Sequence, residues 1–260
     1  MRLFALTRRG FLQAASYRLS FFGNYLGAAL VLVFYRVLAD FLGRAQPGED
    51  YFTFLLIGGV LARFFSLSLK QFARELEHEL AAGTLEPLLV TATPPALALL
   101  GPALWTLVEG LLIAAAQLAA GALFLGADFS RADWPAALGL GALTFTALAG
   151  WGLLSAAFVL VFKRSDPLSW LADVTLYMFA GVYFPISALP ELLRPLAYLL
   201  PLSHGLEGLR LALLHGQSFA ALGRYALILA GFSVALGPLG VWAIHAALRQ
   251  VRRTGSLGHY

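Results

Sequence analysis

Long apolar stretches separated by short polar segments dominate this chain. A helix needs roughly 20 predominantly apolar residues to cross the hydrocarbon core of a bilayer. Six stretches reach that length, at 20–42, 51–73, 95–126, 136–162, 168–186 and 221–247. No repeat period or low-complexity linker separates them. We therefore predict an all-α integral membrane fold with six transmembrane helices, built as a single domain over residues 1–260.

Composition indicates the same class of protein. The 260 residues are 60% hydrophobic and 12% charged, whereas soluble domains are about 45–50% apolar and about 25% charged. A soluble core of this size cannot hide so much apolar surface, so lipid must be part of the solvent. Cysteine is absent, which excludes disulfides and thiolate metal sites. The histidines lack metal-ligand spacing and no catalytic constellation is visible, so we expect neither a metal site nor an active site.

The placement of lysine and arginine predicts the orientation, because cytoplasmic loops carry the excess of these residues. With a cytoplasmic N-terminus, the inner side holds Arg2, Arg8, Arg9, Lys70, Arg74, Lys163, Arg164, Arg249, Arg252 and Arg253. The outer side then holds half as many, namely Arg44, Arg131, Arg194, Arg210 and Arg224. We therefore predict a multi-pass protein of the cell inner (plasma) membrane with both termini in the cytoplasm.

Both predicted cytoplasmic ends are basic. Residues 1–18 place Leu3, Phe4 and Phe11 on one helical face, which predicts a helix lying in the membrane interface; a simple basic flank of the first span is the alternative. The basic cluster at 249–253 fits contact with anionic lipid. Nucleic-acid binding is a poor alternative for so short a tail after a span.

The segment 75–94 is a polar, acidic island between the second and third apolar stretches. Leu76 and Leu80 stand one helical turn apart among glutamates, and Gly83 is placed to end that helix. Thr84 can cap a second short helix that carries a proline in its first turn. The pattern predicts a helix–break–helix element across the cytoplasmic membrane face, available for docking a soluble partner. An ordinary solvated loop is the alternative.

The outer segment 181–216 is apolar but cannot form one continuous helix. It is interrupted by Pro185, Pro190, Pro195 and Pro201. We predict short helices over 189–199 and 202–215, with Ser203 as a possible N-cap. Irregular backbone at membrane depth requires cover by protein or a water-filled cavity. The segment is therefore expected to re-enter the outer leaflet and close the outer end of the bundle, with a cap that has no gating role as the alternative.

Both segments contain a motif. The first motif is a glutamate, Gly-Thr-Leu-Glu, two leucines and Thr-Pro, formed by Glu79, Gly83, Thr84, Leu85, Glu86, Leu88, Leu89, Thr93 and Pro94. The second is aromatic-Pro, Leu-Pro, Pro-Leu-Ser, then Glu and Arg, formed by Phe184, Pro185, Leu189, Pro190, Pro201, Leu202, Ser203, Glu207 and Arg210. With the six spans, they resemble the membrane subunit of ABC-2 type ATP-binding-cassette exporters over essentially the whole chain. The chain departs from that family's pattern at Ala81 and Ala82, where a charged residue is frequent.

The resemblance implies that 75–94 is a coupling helix seated in a separate ATP-binding-cassette ATPase subunit. Its contact residues would be Glu75, Glu79, Gly83, Thr84, Leu85, Glu86, Leu88 and Leu89. An outer gate would then use Phe184, Pro185, Pro190, Pro201, Glu207 and Arg210. The chain lacks a G-x-x-x-x-G-K-[ST] loop, so this subunit is expected to be non-catalytic and to bind no cofactor, with ATP and magnesium on the partner.

The resemblance also implies a transport unit with two membrane subunits, either a homodimer or a pair with a sister permease. Export follows from the family, and the aromatic side chains of the spans favour a hydrophobic or amphipathic substrate. A stand-alone secondary transporter or channel is the alternative function, and it would call for inverted repeats and an intramembrane carboxylate relay. A membrane scaffold without transport is a third possibility.

Charged residues inside spans are candidates for structural or functional pairing. Arg63 and Glu109 fall at depths of about 16 Å and about 21 Å from the cytoplasmic ends of neighbouring antiparallel spans, at about 1.5 Å per residue. We predict an ion pair between them, with contact to substrate as the alternative. Arg36 and Asp40, four residues apart, are also predicted to pair. Asp173, near the start of the fifth span, is expected to snorkel or to cap.

Overall fold

The computed structural model describes residues 18–42, 51–81, 95–162 and 167–254, and the described backbone is helical without strands. Its α-helices are α1 (Arg18–Leu42), α2 (Tyr51–Ala81), α3 (Pro95–Phe124), α4 (Trp134–Phe162), α5 (Pro167–Phe179), α6 (Arg194–Tyr198), α7 (Pro201–His215) and α8 (Gly223–Thr254). A short 3-10 helix covers Ile186–Ala188. The predicted all-α fold is confirmed.

Five of the described helices, α1, α2, α3, α4 and α8, are long and apolar enough to cross a membrane. The helix at the fifth predicted span, 168–186, is shorter than expected, and the six-span layout stays a prediction. There α5 has 13 residues, a length of about 20 Å, and it ends at Phe179. Gly181 then adopts a left-handed backbone with φ 77°, which a glycine tolerates and a helix does not contain. The apolar residues that follow form a turn, so apolar character alone overstated the length of this helix.

Helix α4 lies at the centre of the bundle and packs against α2, α7 and α8. Small residues allow its closest approach to α8. A Cβ added at Gly150 would lie 2.5 Å from the carbonyl carbon of Leu236, and one added at Gly240 would lie 2.6 Å from the carbonyl oxygen of Gly150. Backbone meets backbone at this crossing, as is usual where small residues line a membrane helix interface.

We expect Gly150→Ala to destabilise the bundle. The added methyl group would meet the backbone of Leu236 and Gly237, which cannot rotate away as a side chain can. Overpacking of this kind costs about 1–3 kcal/mol, which corresponds to a loss of about 2–10 °C in thermal midpoint for a chain of this size. Gly141→Ala is the matched control in the same helix, because nothing lies within 4 Å of its Cβ position. An equal loss in both variants in detergent unfolding curves would refute the backbone contact.

The proline-broken segment forms a helical hairpin inside the bundle. The chain runs from α5 through the 3-10 helix into α6, turns at Leu200, and returns along α4 as α7. At one end, Pro201 lines the same cavity as Trp151 of α4; at the other, the Asp133 N–H donates to the carbonyl of Ala212. Since Trp151 is about 25 Å along α4 from Trp134, α7 reaches well into the bundle.

The helices of this hairpin differ from the expected ones in extent and in capping. The predicted helix 189–199 is reduced to α6, whereas the predicted 202–215 agrees with α7 to one residue. Ser203 is not the N-cap; Leu200 holds that position without a side-chain cap. Ser203 lies inside α7 and its hydroxyl donates to the carbonyl of Ala197 at 2.6 Å, which ties α7 back to α6.

Candidate functional site

A row of polar side chains runs along one face of α2 towards its C-terminal end. Arg63, Ser66 and Lys70 are spaced by three and four residues, so they share a helix face. The Lys70 ammonium pairs with Asp173 of α5 at 2.5 Å, and the Ser66 hydroxyl donates to the other carboxylate oxygen of Asp173. Asp173 therefore neither snorkels nor caps; it ties α5 to α2.

A second polar connection joins α7 to the N-terminal half of α2 and to the turn after α5. Arg210 of α7 is only 7% exposed. Its guanidinium donates to the carbonyls of Gly181 at 2.6 Å, Val182 at 2.9 Å and Phe54 at 3.2 Å. Three fixed backbone acceptors suit the planar fork of an arginine. We call Arg210 with these three carbonyls the outer clip.

The outer clip depends on a close approach to α2. The guanidinium carbon of Arg210 lies 3.5 Å from the ring centre of Phe54, a cation–π contact. A Cβ at Gly58 would collide with the Arg210 guanidinium and with the Val182 carbonyl oxygen, so only glycine fits this position. Burial lowers the pKa of Arg210 to about 9, and the side chain stays charged at neutral pH. The Arg210 Nε has no hydrogen-bond partner.

Glu207, one turn before Arg210, lies in a half-buried polar cluster on the hairpin. The Tyr198 hydroxyl donates to Glu207 at 3.4 Å, and the charge of Glu207 also acts on Tyr225 of α8. His204 bonds the Tyr198 carbonyl at 2.9 Å through Nε2. Burial raises the pKa of Glu207, while His204 and the Tyr198 hydroxyl act in the opposite direction. This cluster joins α6 to α7 beside α8.

The remaining predicted gate residues shape the hairpin backbone. Phe184 packs against a small apolar cluster of Ile186, Leu189 and Ala197. Pro185 precedes the 3-10 helix, Pro190 is exposed, and Pro201 is the first residue of α7. The gate residues thus lie in one hairpin, where Glu207 and Arg210 form side-chain hydrogen bonds and the prolines lie at or near its turns. Their gating role remains a prediction.

The predicted ion pair between Arg63 and Glu109 is wrong. The described residues contain the ion pairs Arg36–Asp40 and Lys70–Asp173, and neither Arg63 nor Glu109 takes part in them. The depth was estimated correctly, since Gly110 of α3 lies against Phe64 of α2. The directions of the two side chains were not estimated correctly, because successive residues of a helix point about 100° apart around its axis.

Arg63 borders a small void against Gly110 and Gln117 of α3, and its charge also acts on tyrosines of α1 and α5. The charge of Glu109 acts instead on Tyr25 of α1. The spacing of four residues did predict the other pair correctly. The Arg36 Nη2 lies 3.3 Å from Asp40, and Nη1 donates to the Leu125 carbonyl at 3.1 Å.

The predicted coupling segment is described only at its start. Helix α2 continues to Ala81, seven residues or about 10 Å beyond the end of its apolar span at Arg74. Leu76 is 1% exposed and packs with the ends of α4 and α8. The side chains of Glu75 and Glu79 lie outside the described residues. So do all atoms of Gly83, Thr84, Leu85, Glu86, Leu88 and Leu89, and the interfacial helix proposed for 1–18 is described only at Arg18.

An apolar cavity of about 100 Å³ lies between the inner polar connection and the hairpin. Its walls come from α2, α4, α5 and the start of α7, with Leu69, Leu148, Trp151, Thr175, Leu176, Leu200 and Pro201. Sequence analysis did not predict this cavity. It also missed Ser66 and the Lys70–Asp173 pair, for which the signal was two opposite charges near the inner ends of two spans.

The fold defines a polytopic helical membrane protein, with five helices able to cross a bilayer and a hairpin held inside the bundle. Residues 1–214 match the family described as ABC-2 type transporter, and the chain belongs to this family. It is therefore a membrane component of a transport system. The chain is also similar to Nodulation protein J of Sinorhizobium fredii (strain NBRC 101917 / NGR234), with 28% identity over 183 residues, which cover 68% of this chain and 67% of that protein.

Proposed function

We propose that this chain is the membrane subunit of an ATP-driven exporter, and that it couples a separate ATPase to an outer gate through α2. The observation that carries the proposal is the double attachment of α2. At its inner half, Lys70 and Ser66 hold Asp173 of α5; at its outer half, Phe54 and Gly58 receive Arg210 of α7. Helix α2 is therefore bonded at two levels to the unit formed by α5 and the hairpin.

This arrangement would let α2 act as a lever that passes motion from its C-terminal end to the outer clip. The segment 82–94 follows directly on α2, and a force applied there by an ATPase acts on a helix of 31 residues. Packed helices and paired charges resist bending, so displacement at the inner end would be passed to the outer clip as a rigid-body motion. Docking of the ATPase at 75–94, ATP and magnesium on that subunit, and a second membrane subunit are parts of the proposal, as are the inner-membrane location and cytoplasmic termini.

The proposed substrate is hydrophobic or amphipathic. The cavity beneath the hairpin is lined almost entirely by apolar side chains, and it lies between the helices that the lever would move. A pocket with mostly apolar walls selects apolar groups and rejects strongly hydrated ones. A stand-alone transporter or channel would need no soluble partner, and the following experiment separates the two functions.

Charge reversal in the docking segment tests the proposal. We expect Glu79→Lys/Glu86→Lys to reduce co-purification with a co-expressed ATP-binding-cassette ATPase and to remove the stimulation of its ATPase activity by the permease in nanodiscs. Two reversed charges at a rim typically weaken an interface by tenfold or more, about 1.4 kcal/mol or above. Glu191→Lys is the control, because Glu191 is an exposed glutamate of the hairpin. Unchanged binding and unchanged stimulation in the double variant would reject docking at this segment.

A further inference from the structure

The polar face of α2 carries more positive charge than its neighbours neutralise. Arg63 and Lys70 contribute two positive charges, and Asp173 contributes one negative charge that is bonded to Lys70. Among the residues that the structure describes, no acidic side chain lies within 4.0 Å of the Arg63 guanidinium. Arg63 is half-buried near the middle of the span Tyr51–Arg74, about 17 Å from either end. An uncompensated charge at that depth is costly and marks a functional site by default.

Two tyrosine hydroxyls lie near the level of Arg63. Gly59 is one turn outward from Arg63 on the same face of α2, and a Cβ there would collide with the Tyr35 hydroxyl of α1. On α5, Tyr177 is one turn outward from Asp173, which brings it level with Arg63 because α5 runs antiparallel to α2. Its ring stacks on Tyr183 with centroids 6.1 Å apart. The Arg63 charge lies close enough to act on both the Tyr35 and Tyr177 hydroxyls.

We infer that Arg63, with the hydroxyls of Tyr35 and Tyr177, forms a mid-membrane site for the oxyanion of an amphipathic molecule, with phosphate as the group that fits best. A guanidinium binds phosphate oxygens through two parallel N–H donors, and tyrosine hydroxyls add further donors. The apolar tail of the molecule would remain against the apolar surfaces of α1 and α3. This inference rests on the proposed transport function and names the chemical class of its substrate.

Access to the site fits this role. Lys70 and Asp173 lie about one to two turns inward from Arg63 and are each about one quarter exposed, at 23% and 24% of their side chains. Further inward, Arg74 is exposed on the same face. A polar row therefore leads from the cytoplasmic end of α2 to Arg63. On the side of α3, Arg63 borders a void of about 10 Å³, enough for about one water molecule.

Binding of a simple amphiphile to the full chain tests the site without any ATPase. The purified permease in phosphatidylcholine nanodiscs is mixed with radiolabelled dodecyl phosphate or dodecanol, which share one tail, and binding to empty nanodiscs is subtracted. We expect the wild type to prefer the phosphate by about tenfold or more. Arg63→Gln should abolish that preference, and Arg63→Lys should retain part of it, because an ammonium keeps the charge without the fork.

Arg36→Gln is the matched control, since Arg36 already has Asp40 and a carbonyl as partners. It should keep the full preference. Arg63→Gln removes a half-buried charge and is expected to hold or raise the thermal midpoint, so a folding failure does not imitate the result. Equal binding of both amphiphiles by the wild type, a preference that survives in Arg63→Gln, or an equal loss in Arg36→Gln would each overturn the site.

A second arm identifies the source of the oxyanion. Phosphatidylglycerol is added to the nanodiscs as an anionic lipid. Competition with dodecyl phosphate would assign the site to a lipid headgroup, and no competition would assign it to a transported molecule; both outcomes retain the oxyanion chemistry. Because no ATPase is present, loss of docking in Glu79→Lys/Glu86→Lys should leave this binding unchanged. Failure of the oxyanion site and failure of the proposed coupling are therefore separable.

Discussion

Arg210→Met is expected to destabilise the protein more than any other single change considered, and to lower its yield in the membrane. The substitution would leave the carbonyls of Gly181, Val182 and Phe54 without their shared donor inside the bundle. Each unsatisfied buried polar group costs about 1–3 kcal/mol, so a total of about 3 kcal/mol or more is expected. For a chain of this length that corresponds to a fall of roughly 6–12 °C in thermal midpoint. Unfolding in detergent, followed by tryptophan fluorescence, measures it.

Two further variants define the cause of that loss. Arg210→Lys should recover only a small part of it, because an ammonium cannot reach three carbonyls with the geometry of a guanidinium fork. Arg131→Ala removes an exposed arginine of the loop between α3 and α4 and should shift the midpoint by no more than about 1–2 °C. If Arg210→Met unfolded at the wild-type temperature, the outer clip would contribute nothing to holding the hairpin on α2.

The second large effect is expected from reversing one charge of the inner connection. Asp173→Lys would place two ammonium groups where Lys70 and Asp173 now lie 2.5 Å apart. Breaking a pair in a low-dielectric site costs about 3–5 kcal/mol, and partial exposure of both side chains reduces this to about 2–3 kcal/mol here. The expected fall in thermal midpoint is roughly 5–10 °C.

The exchanged pair is the decisive control. Lys70→Asp with Asp173→Lys restores opposite charges across the same helices and should recover most of the midpoint lost in the single reversal. In a complex with its ATPase, the single reversal should also weaken the link between ATP hydrolysis and movement of the hairpin. The chain contains no cysteine, so pairs of introduced cysteines can report that movement without a background. A double variant as unstable as the single one would show that the pair itself is not the connection.

Helix positions could be predicted from the sequence because they follow from local composition. Helices α1, α2, α3, α4 and α8 lie where apolar runs long enough to cross a bilayer were found. The proline spacing predicted a broken segment, and the structure contains a hairpin there. The short α5 could not be predicted from local sequence. Its end at Phe179 is set by the left-handed turn at Gly181 and by the outer clip. That clip depends on Arg210, which lies 29 residues after Gly181.

Polar partners were predictable only within one helix. Arg36 and Asp40 pair because four residues make one turn, a relation that needs no neighbour. The Arg63–Glu109 prediction counted depth along two helices and had no information on how each is rotated about its axis. Rotation is decided where glycines permit close contact, as Gly110 does against Phe64 and Leu67.

The sequence by itself determined that the protein lies in lipid, that it is helical and to which family it belongs. Apolar runs, basic flanks and two motifs are local properties, and they are sufficient for a helical membrane protein of the ABC-2 type. Only the tertiary structure decided that α2 is bonded to α5 and α7 at two levels, and that no acidic side chain lies within 4.0 Å of Arg63 among the described residues. The physical reason is that depth follows from counting residues along a helix, whereas the direction of each side chain follows from packing between helices distant in the chain.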